Sequence, residues 1–392
     1  MAKGDDKSRG FIYNNERTRM ILAGEEKGFS SGISWRRIAM QQVISQFQLE
    51  GAPVRCDRYG NGHINETYLL ETDAPHAYIL QKVNRHVFPD VAGLMRNIIA
   101  VTSFLRQQTP DPRRVLTLVP TKENEMYHVD TEGETWRVYE FVTDSLCLDR
   151  PENEYDLQQS GFAFGTFQNQ LAAFPAQTLV EIVPHFHDTP ARYSQLREAI
   201  RLDKAGRVKE AGAEIDQYLA CEKYAGFLMD LLGKGELPLR VTHNDTKLNN
   251  VLLDASTRTP LCVIDLDTVM PGLAANDFGD SIRFGAATAR EDEQDLSKVS
   301  MSLQLFEAYA RGFLSACGER LTPLEKETLP MGALLMTLEC GSRFLADYLN
   351  GDVYFHNARP GQNLQRARTH IRMVHDMEGK LNRMHKVIEG LL

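Results

Sequence analysis

The sequence has few cysteines, no long apolar run and no excess of basic residues. Its six cysteines include no C-x-x-C pair, which argues against a zinc site or a disulfide framework and suits a reducing compartment. No stretch reaches the roughly 18 consecutive apolar residues of a membrane span, and the N-terminus lacks the apolar core of a signal peptide. The net charge of −9 repels phosphate backbones. We therefore expect a cytoplasmic protein with no membrane partner and no nucleic-acid partner.

The composition of the 392 residues changes near residue 142. Residues 1–33 are polar without apolar periodicity, which favours a flexible extension over a docking arm. Between residues 34 and 142, short aromatic and β-branched runs with one helical pattern predict a small sheet and a helix. Residues 143–392 carry long helical patterns and one short hairpin. The sequence therefore predicts an α+β fold with two lobes, a small β-rich N-terminal lobe and a larger, mainly helical C-terminal lobe.

The strongest chemical signal is His243-Asn244-Asp245, with Asn250 five residues after the aspartate and a short apolar strand that ends at Asp265. Phosphoryl transfer uses a carboxylate to accept the proton of the attacking hydroxyl, and an amide and a second carboxylate to hold Mg²⁺. Residues that only cap turns would not explain the whole spacing. The motif therefore predicts a kinase with Asp245 as general base and with Asn250 and Asp265 as metal ligands.

This segment resembles the catalytic loop of the aminoglycoside phosphotransferase and choline kinase group, whose fold is protein-kinase-like. Further blocks resemble the N-acetylhexosamine 1-kinases of that group; they lie at residues 63–69, 88–90, 94–97, 136–139, 186–190, 277–285 and 343–348. The resemblance implies ATP and Mg²⁺ as cofactors. It also implies transfer of the γ-phosphate to the anomeric 1-hydroxyl of a small sugar, N-acetylglucosamine or N-acetylgalactosamine.

A glycine-containing segment precedes the first strand of the predicted kinase sheet. Glycines allow a hairpin to bring its backbone N–H groups against phosphates, although a lone G-x-G is a weak signal. The kinase-like position of the segment strengthens it. On the resemblance, the nucleotide site comprises Gly60, Gly62, Asn65, Thr67, Gln81, Glu140 and Val142, the last two in the hinge whose backbone holds adenine.

Position 81 departs from the protein kinases, which place a lysine on the equivalent strand to pair with the phosphates. Gln81 occupies this position, and strand alternation turns Lys82 to the opposite face. The group that neutralises the phosphates is therefore left open, with Arg96 as one candidate.

The resemblance also indicates an acceptor site in the helical lobe. Its candidates are Asp245, His63, Phe284, Arg343 and Tyr354. Arg343 lies in a mostly apolar helix and needs a partner there. A sugar is favoured as this partner, and an ion pair with Asp347, four residues later, is the alternative.

Three further signals have more than one interpretation. Asp277 begins an Asp-Phe-Gly-Asp sequence, but it follows the catalytic motif at too great a distance to be the metal ligand, so we expect it to cap and tie the catalytic loop. Asp267 shares a strand face with Asp265 and either binds a second metal or supports the first. His185 and His187 could form a metal pair, but a loop packed at the acceptor site is favoured.

Other functions remain as alternatives. A kinase of the same group could act on choline, an aminoglycoside or another small alcohol. A nucleotide-binding pseudokinase would be expected to lack one of the three catalytic side chains, and all three are present. A glycosidase with paired carboxylates would explain neither Asn250 nor the glycine hairpin. The sequence does not determine the oligomeric state, and a monomer is favoured.

Overall fold

A computed structural model describes residues 11–12, 33–60 and 64–392 of the chain. The described residues form two compact units. The sheet unit comprises those up to Cys147 together with Leu252–Asp267, and the helical unit comprises Leu148–Val251 and Thr268–Leu392. Most of the predicted extension over residues 1–33 lies outside the described residues, as do the candidate site residues Gly62 and His63.

Within the described ranges, the sheet unit contains two antiparallel sheets and two α-helices. Its strands are β1 (Phe11–Ile12), β2 (Pro53–Arg58), β3 (Glu66–Thr72), β4 (Ala77–Lys82), β5 (His128–Val129), β6 (Thr135–Glu140), β7 (Ser145–Cys147), β9 (Val251–Asp254) and β10 (Pro260–Val263), and its helices are α1 (Ile33–Ile44) and α2 (Val91–Gln108). The larger sheet has the order β2-β3-β4-β6-β5. Alternate side chains of its central strands, among them Leu70, Leu80 and Val138, are fully buried in one apolar cluster.

The hairpin of β9 and β10 belongs to the sheet unit, whereas the sequence analysis assigned residues 252–267 to the helical lobe. Strand β9 pairs antiparallel with β7, and β7 pairs with β1, which gives the order β1-β7-β9-β10. Pairing between strands that lie about a hundred residues apart leaves no local mark in the sequence, so the hairpin could be predicted but not its partner strand.

The helical unit contains eight α-helices within the described ranges. They are α3 (Glu154–Gln170), α4 (Thr189–Leu202), α5 (Gly212–Cys221), α6 (Phe227–Gly233), α7 (Ala274–Gly285), α8 (Leu303–Cys317), α9 (Pro323–Asn350) and α10 (Gln362–Gly390), and a two-stranded ribbon joins β8 (Arg240–Thr242) to β11 (Met270–Gly272). Helix α9 packs against α7 and α10, and α3 packs against α8. None of the helices in the described part of the chain is long and apolar enough to cross a membrane.

Helices α7 and α9 carry the acceptor candidates Phe284 and Arg343, and local sequence features shape both helices. Helix α9 begins with a capping box between Thr322 and Glu325 and ends at Gly351, which has a left-handed φ of 100°. The two helices cross where Gly279 meets Gly332, and a Cβ atom on Gly279 would lie 2.2 Å from the Gly332 carbonyl oxygen. Only glycine permits this close approach of the two backbones.

Candidate active site

The catalytic motif forms a loop between β8 and β9, and its two predicted functional side chains lie together there. The Asn250 side-chain amide donates to the Asp245 backbone carbonyl at 2.8 Å and to the Asp245 carboxylate at 3.2 Å. These bonds fix the orientation of the Asn250 amide, and its carbonyl oxygen accepts no hydrogen bond from the described residues. The Asp245 carboxylate is half-buried, so a substrate hydroxyl can reach it.

Lys247 is a candidate functional residue that the sequence analysis did not name. Its ammonium group lies 2.8 Å from the Asp245 carboxylate. Burial lowers the pKa of Lys247, but the carboxylates of Asp245 and Asp280 outweigh it and raise the pKa above its ordinary value. A lysine that stays charged beside the candidate base is suited to stabilise negative charge during phosphoryl transfer. The signal that could have revealed it is a cation two residues after Asp245.

Helix α7 holds the loop through two buried carboxylates. Asp277 accepts hydrogen bonds from the backbone N–H groups of His243 and Asn244 at 2.9 and 2.8 Å, and Asp280 accepts one from Thr246 at 2.9 Å. Burial raises the pKa of Asp277, and the two N–H groups act against that rise. The prediction that Asp277 ties the catalytic loop is confirmed, although it lies inside α7 and does not cap that helix.

The residue before the candidate base has a left-handed backbone, with a φ of 63° at Asn244. Asparagine tolerates this conformation better than most residues. Its side-chain amide donates to the Thr268 carbonyl at 2.8 Å, and its own carbonyl accepts from the His187 imidazole at 3.2 Å. Hydrogen bonds with Thr268 and His187 thus stabilise the backbone conformation of Asn244 that presents Asp245.

His187 links this loop to α9. Its Nε2 faces the Asn244 carbonyl, and its Nδ1 lies 2.8 Å from the buried carboxylate of Glu339. Both partners accept hydrogen bonds, so the arrangement requires a proton on each ring nitrogen. Burial lowers the pKa of His187, but Glu339 and, more weakly, Asp280 outweigh it and raise the pKa.

The favoured interpretation of the two histidines as part of a packed loop agrees with this geometry. His187 uses both of its ring nitrogens within the protein, and the exposed His185 lies 3.0 Å from Asp188. In the part of the chain that the structure describes, neither histidine belongs to a group of three metal-ligating side chains.

Replacing His187 with glutamine is expected to lower the stability in a pH-dependent way. A folded-state pKa above the unfolded value means that the charged pair contributes fully below about pH 6.5 and is lost as the pH rises through the folded pKa. The charged groups that face His187 are Glu339 on α9 and Asp280 on α7. We expect a loss of about 1.5–3 kcal/mol at about pH 6 and a smaller loss at about pH 9, measured by urea denaturation.

His185→Gln is the matched control, because it makes the same change at a neighbouring histidine whose side chain is 68% exposed. It should change the free energy of unfolding by less than about 0.5 kcal/mol at either pH. An equal loss for His187→Gln at both values of pH would contradict the charged pair.

The acceptor candidates Arg343 and Tyr354 lie together in the helical unit. The Arg343 guanidinium is 5.4 Å from the Phe186 ring, 5.7 Å from Tyr354 and 5.4 Å from Phe355. The ion pair considered between Arg343 and Asp347 is not formed, because the Asp347 carboxylate accepts from the backbone N–H groups of residues 353–355. Within the described residues, Arg343 pairs with no carboxylate.

The acceptor candidates are connected to the catalytic loop through a continuous set of contacts. The Phe186 ring, which lies beside Arg343, also packs against the His187 imidazole at 4.5 Å, and His187 binds the carbonyl before Asp245. Phe284, the remaining described candidate, is half-buried at the end of α7.

In the sheet unit, Thr67, Gln81 and Arg137 form a row across β3, β4 and β6. Gln81 pairs in register with Thr67 on one side and with Arg137 on the other. Its amide donates to Thr67 at 3.1 Å, and its carbonyl accepts from Arg137 at 2.8 and 3.0 Å. Lys82 lies on the opposite face, as predicted, 3.2 Å from Glu134.

Asn65 and the two aspartates after β10 lie in the same unit. Asp265 is exposed and has a left-handed φ of 58°, whereas Asp267 is buried. The Asn65 amide donates to Asp267 at 2.5 Å. Asp267 also pairs with Arg137 at 2.6 Å, and this geometry favours the supporting role that the sequence analysis considered for it.

Of the other nucleotide-site candidates, Gly60 has a left-handed φ of 72°. Glu140 ends β6 with an exposed side chain, and Val142 follows it with a buried one. The Glu140 N–H donates to the Thr117 carbonyl at 2.9 Å. Arg96, the candidate for phosphate neutralisation, is exposed on α2, and the buried cation beside Gln81 is Arg137.

Residues 55–312, more than half of the chain, match the phosphotransferase enzyme family (APH). The chain belongs to this family. Its structure is similar to that of a microcompartment-associated aminopropanol kinase, with 16% identity, a TM-score of 0.54 and coverage of 89% of this chain and 98% of the other. An aminoglycoside phosphotransferase from Alicyclobacillus acidocaldarius has 13% identity, a TM-score of 0.55 and coverage of 94% and 98%. A choline kinase from Cryptosporidium parvum has 14% identity, a TM-score of 0.53 and coverage of 91% and 98%.

At these identities the structural likeness shows the fold, which is the predicted two-lobed, kinase-like α+β fold. Family membership makes the chain an ATP-dependent small-molecule kinase that uses Mg²⁺. The chemistry of the two predicted ligands fits this ion, because Mg²⁺ prefers carboxylate and carbonyl oxygens. In the sheet unit, Asp265 offers an exposed carboxylate. In the helical unit, Asn250 offers a carbonyl oxygen that accepts no hydrogen bond from the described residues.

Proposed function

We propose that this kinase transfers the γ-phosphate of ATP to the anomeric 1-hydroxyl of an N-acetylhexosamine, N-acetylglucosamine or N-acetylgalactosamine. In this proposal, Asp245 orients the hydroxyl and accepts its proton, and Lys247 stabilises the charge that develops on the transferred group. Asn250 and Asp265 hold the Mg²⁺ ion, which offsets the negative charge of the departing ADP.

The observation that carries the choice of acceptor is the pair of arginines around Phe186. The guanidinium groups of Arg343 and Arg192 lie 5.4 and 5.9 Å from this ring. Burial lowers the pKa of Arg192, and the positive charge of Arg343 lowers it further. The buried carboxylates on α9 are already engaged, Glu339 by His187 and Asp347 by the backbone N–H groups of residues 353–355. Among the described residues, neither guanidinium forms an ion pair with a carboxylate. The two arginines therefore present positive charge beside Phe186 that no ion pair offsets.

Such surroundings favour a neutral acceptor over a cationic one. Choline and aminoglycosides carry positive charge, which two arginines would repel. A sugar presents hydroxyl and acetamido oxygens that accept hydrogen bonds from a guanidinium, and apolar ring faces that pack on aromatic side chains. Phe186, Tyr354 and Phe355 supply such aromatic surfaces around Arg343.

The test is a measurement of ADP release with ATP and Mg²⁺ for N-acetylglucosamine, N-acetylgalactosamine, choline and an aminoglycoside. Phosphorus NMR of the product shows which oxygen carries the phosphate. We expect turnover of an N-acetylhexosamine to its 1-phosphate. Turnover of choline or the aminoglycoside alone would retain the catalytic residues and refute the sugar assignment. Bound ATP without any turnover would refute the sugar as acceptor and favour another small alcohol or a pseudokinase.

Arg343→Gln is expected to raise the KM for the sugar by about 10- to 100-fold, the range for a hydrogen bond from a charged group. The KM for ATP should change by less than about threefold, because Arg343 belongs to the acceptor side. Arg197→Gln is the control, since this arginine is exposed and pairs with Glu222. Equal changes in both KM values would contradict the assignment.

A further inference from the structure

The sheet unit contains a fully buried arginine to which the proposed reaction gives no role. Arg137 lies on β6 with a side chain that is 1% exposed. Its Nε and Nη2 donate to the Gln81 carbonyl at 3.0 and 2.8 Å, and Nη2 lies 2.6 Å from the Asp267 carboxylate. A buried guanidinium is retained only with such partners, because the desolvation of an unpaired charge is strongly unfavourable.

The partner of this arginine is itself held in place. The Asp267 side chain is 4% exposed, and its second oxygen accepts from the Asn65 amide. Asn65 is fixed in turn, since its carbonyl accepts from the Asn84 backbone N–H at 3.0 Å. Burial lowers the pKa of Arg137, but the Asp267 carboxylate opposes this effect, and the pKa lies above its ordinary value. Arg137 therefore stays charged.

Asp267 anchors the turn that presents Asp265. The two residues are separated only by Leu266, in a short turn over Leu266–Thr268. Asp265 has a φ of 58°, a left-handed conformation that aspartate adopts more readily than most residues but that still needs support from its surroundings. The ion pair with Arg137 fixes this turn to strand β6 of the sheet.

We infer that Arg137 is a positioning residue for Asp265, and that it replaces the strand lysine of the protein kinases with a changed task. The inference rests on the proposed role of Asp265 as a metal ligand. Positions 81 and 137 are directly opposite each other on one face of the sheet. Compared with the protein kinases, this chain therefore has its cation on β6 instead of β4. From there the cation fixes the turn that presents the Asp265 carboxylate.

The test is calorimetric binding of ADP with Mn²⁺, which needs no acceptor sugar and no turnover. Arg137→Gln is expected to weaken binding of the Mn²⁺–ADP complex by about 10- to 100-fold, the range for residues that orient metal ligands. The variant Gln81→Lys/Arg137→Gln returns a cation to β4, opposite the original position. It should restore the affinity to within about threefold of that of the unmodified protein, because the new lysine supplies a cation that can pair with the Asp267 carboxylate.

Arg240→Gln is the matched control, because it breaks a comparable arginine–carboxylate pair, with Glu325, in the helical unit. It should destabilise the protein and leave Mn²⁺–ADP binding unchanged. Asp265→Asn is the reference for loss of the metal ligand. If Asp265→Asn binds Mn²⁺–ADP normally, the proposed metal site is wrong, and the inference about Arg137 is wrong with it.

Thermal unfolding shows whether each variant is folded. If Arg137→Gln does not fold, the double variant and Arg137→Lys decide the question, since both retain a cation near Asp267. Normal binding by a folded Arg137→Gln would overturn the inference. So would a folded double variant, or a folded Arg137→Lys, that binds as weakly as Asp265→Asn.

Discussion

Asp245→Asn is expected to lower kcat on the order of 10³-fold, the middle of the range for loss of a general base. Asparagine has the size of aspartate but cannot accept the proton of the attacking hydroxyl. The backbone of the loop should be unaffected, because the N–H groups around position 245 are bound by Asp277 and Asp280. The affinity for ATP should change by less than about threefold, since the base acts mainly in the transition state.

The measurement is steady-state kinetics with ATP and the acceptor that the panel identifies, together with calorimetry of ATP binding. Asp295→Asn provides the control, because this aspartate is exposed and caps a short 3₁₀ turn in the same unit. It should leave both quantities unchanged. Turnover by Asp245→Asn close to that of the unmodified enzyme would rule out Asp245 as the base.

The catalytic loop could be predicted from the sequence because its chemistry is local. Asp245 and Asn250 are five residues apart, and the structure joins them by hydrogen bonds within one loop. Asp277 lies more than thirty residues after Asp245. Its distance from the motif argued against a role as metal ligand, and this left the binding of the catalytic loop as its expected role. Lys247 lies inside the same motif, but only the structure shows its contact with the Asp245 carboxylate.

Other features depend on contacts between distant segments and could not be derived from the sequence. Arg137 sits in a strand that the sequence predicted, but its role follows from the register with Gln81 and from the burial of Asp267. Arg343 was recognised as a residue in need of a partner. Only the structure shows that Asp347 is bound to the backbone of residues 353–355, which leaves Arg343 among aromatic rings.

Asp277→Asn is expected to lower the free energy of unfolding by about 1–3 kcal/mol, the loss for one unsatisfied buried group. One oxygen of Asp277 accepts from Asn244, and the other accepts from His243 and from Gln168. Asparagine keeps only one acceptor, so at least one buried backbone N–H loses its partner. Asp277→Ala removes both acceptors and should lower the stability by about 2–5 kcal/mol.

The same substitution should reduce activity, because the two N–H groups belong to the residues immediately before Asp245. A small displacement of a catalytic group lowers turnover by on the order of 10²-fold, so we expect a loss of that size for a folded Asp277→Asn. Urea denaturation and kcat, measured on the same samples with Asp295→Asn as control, separate the two effects. If Asp277→Asn loses stability but keeps full turnover, Asp277 stabilises the fold and does not position Asp245. The position of Asp245 would then depend on the hydrogen bonds that Asn244 forms with His187 and Thr268.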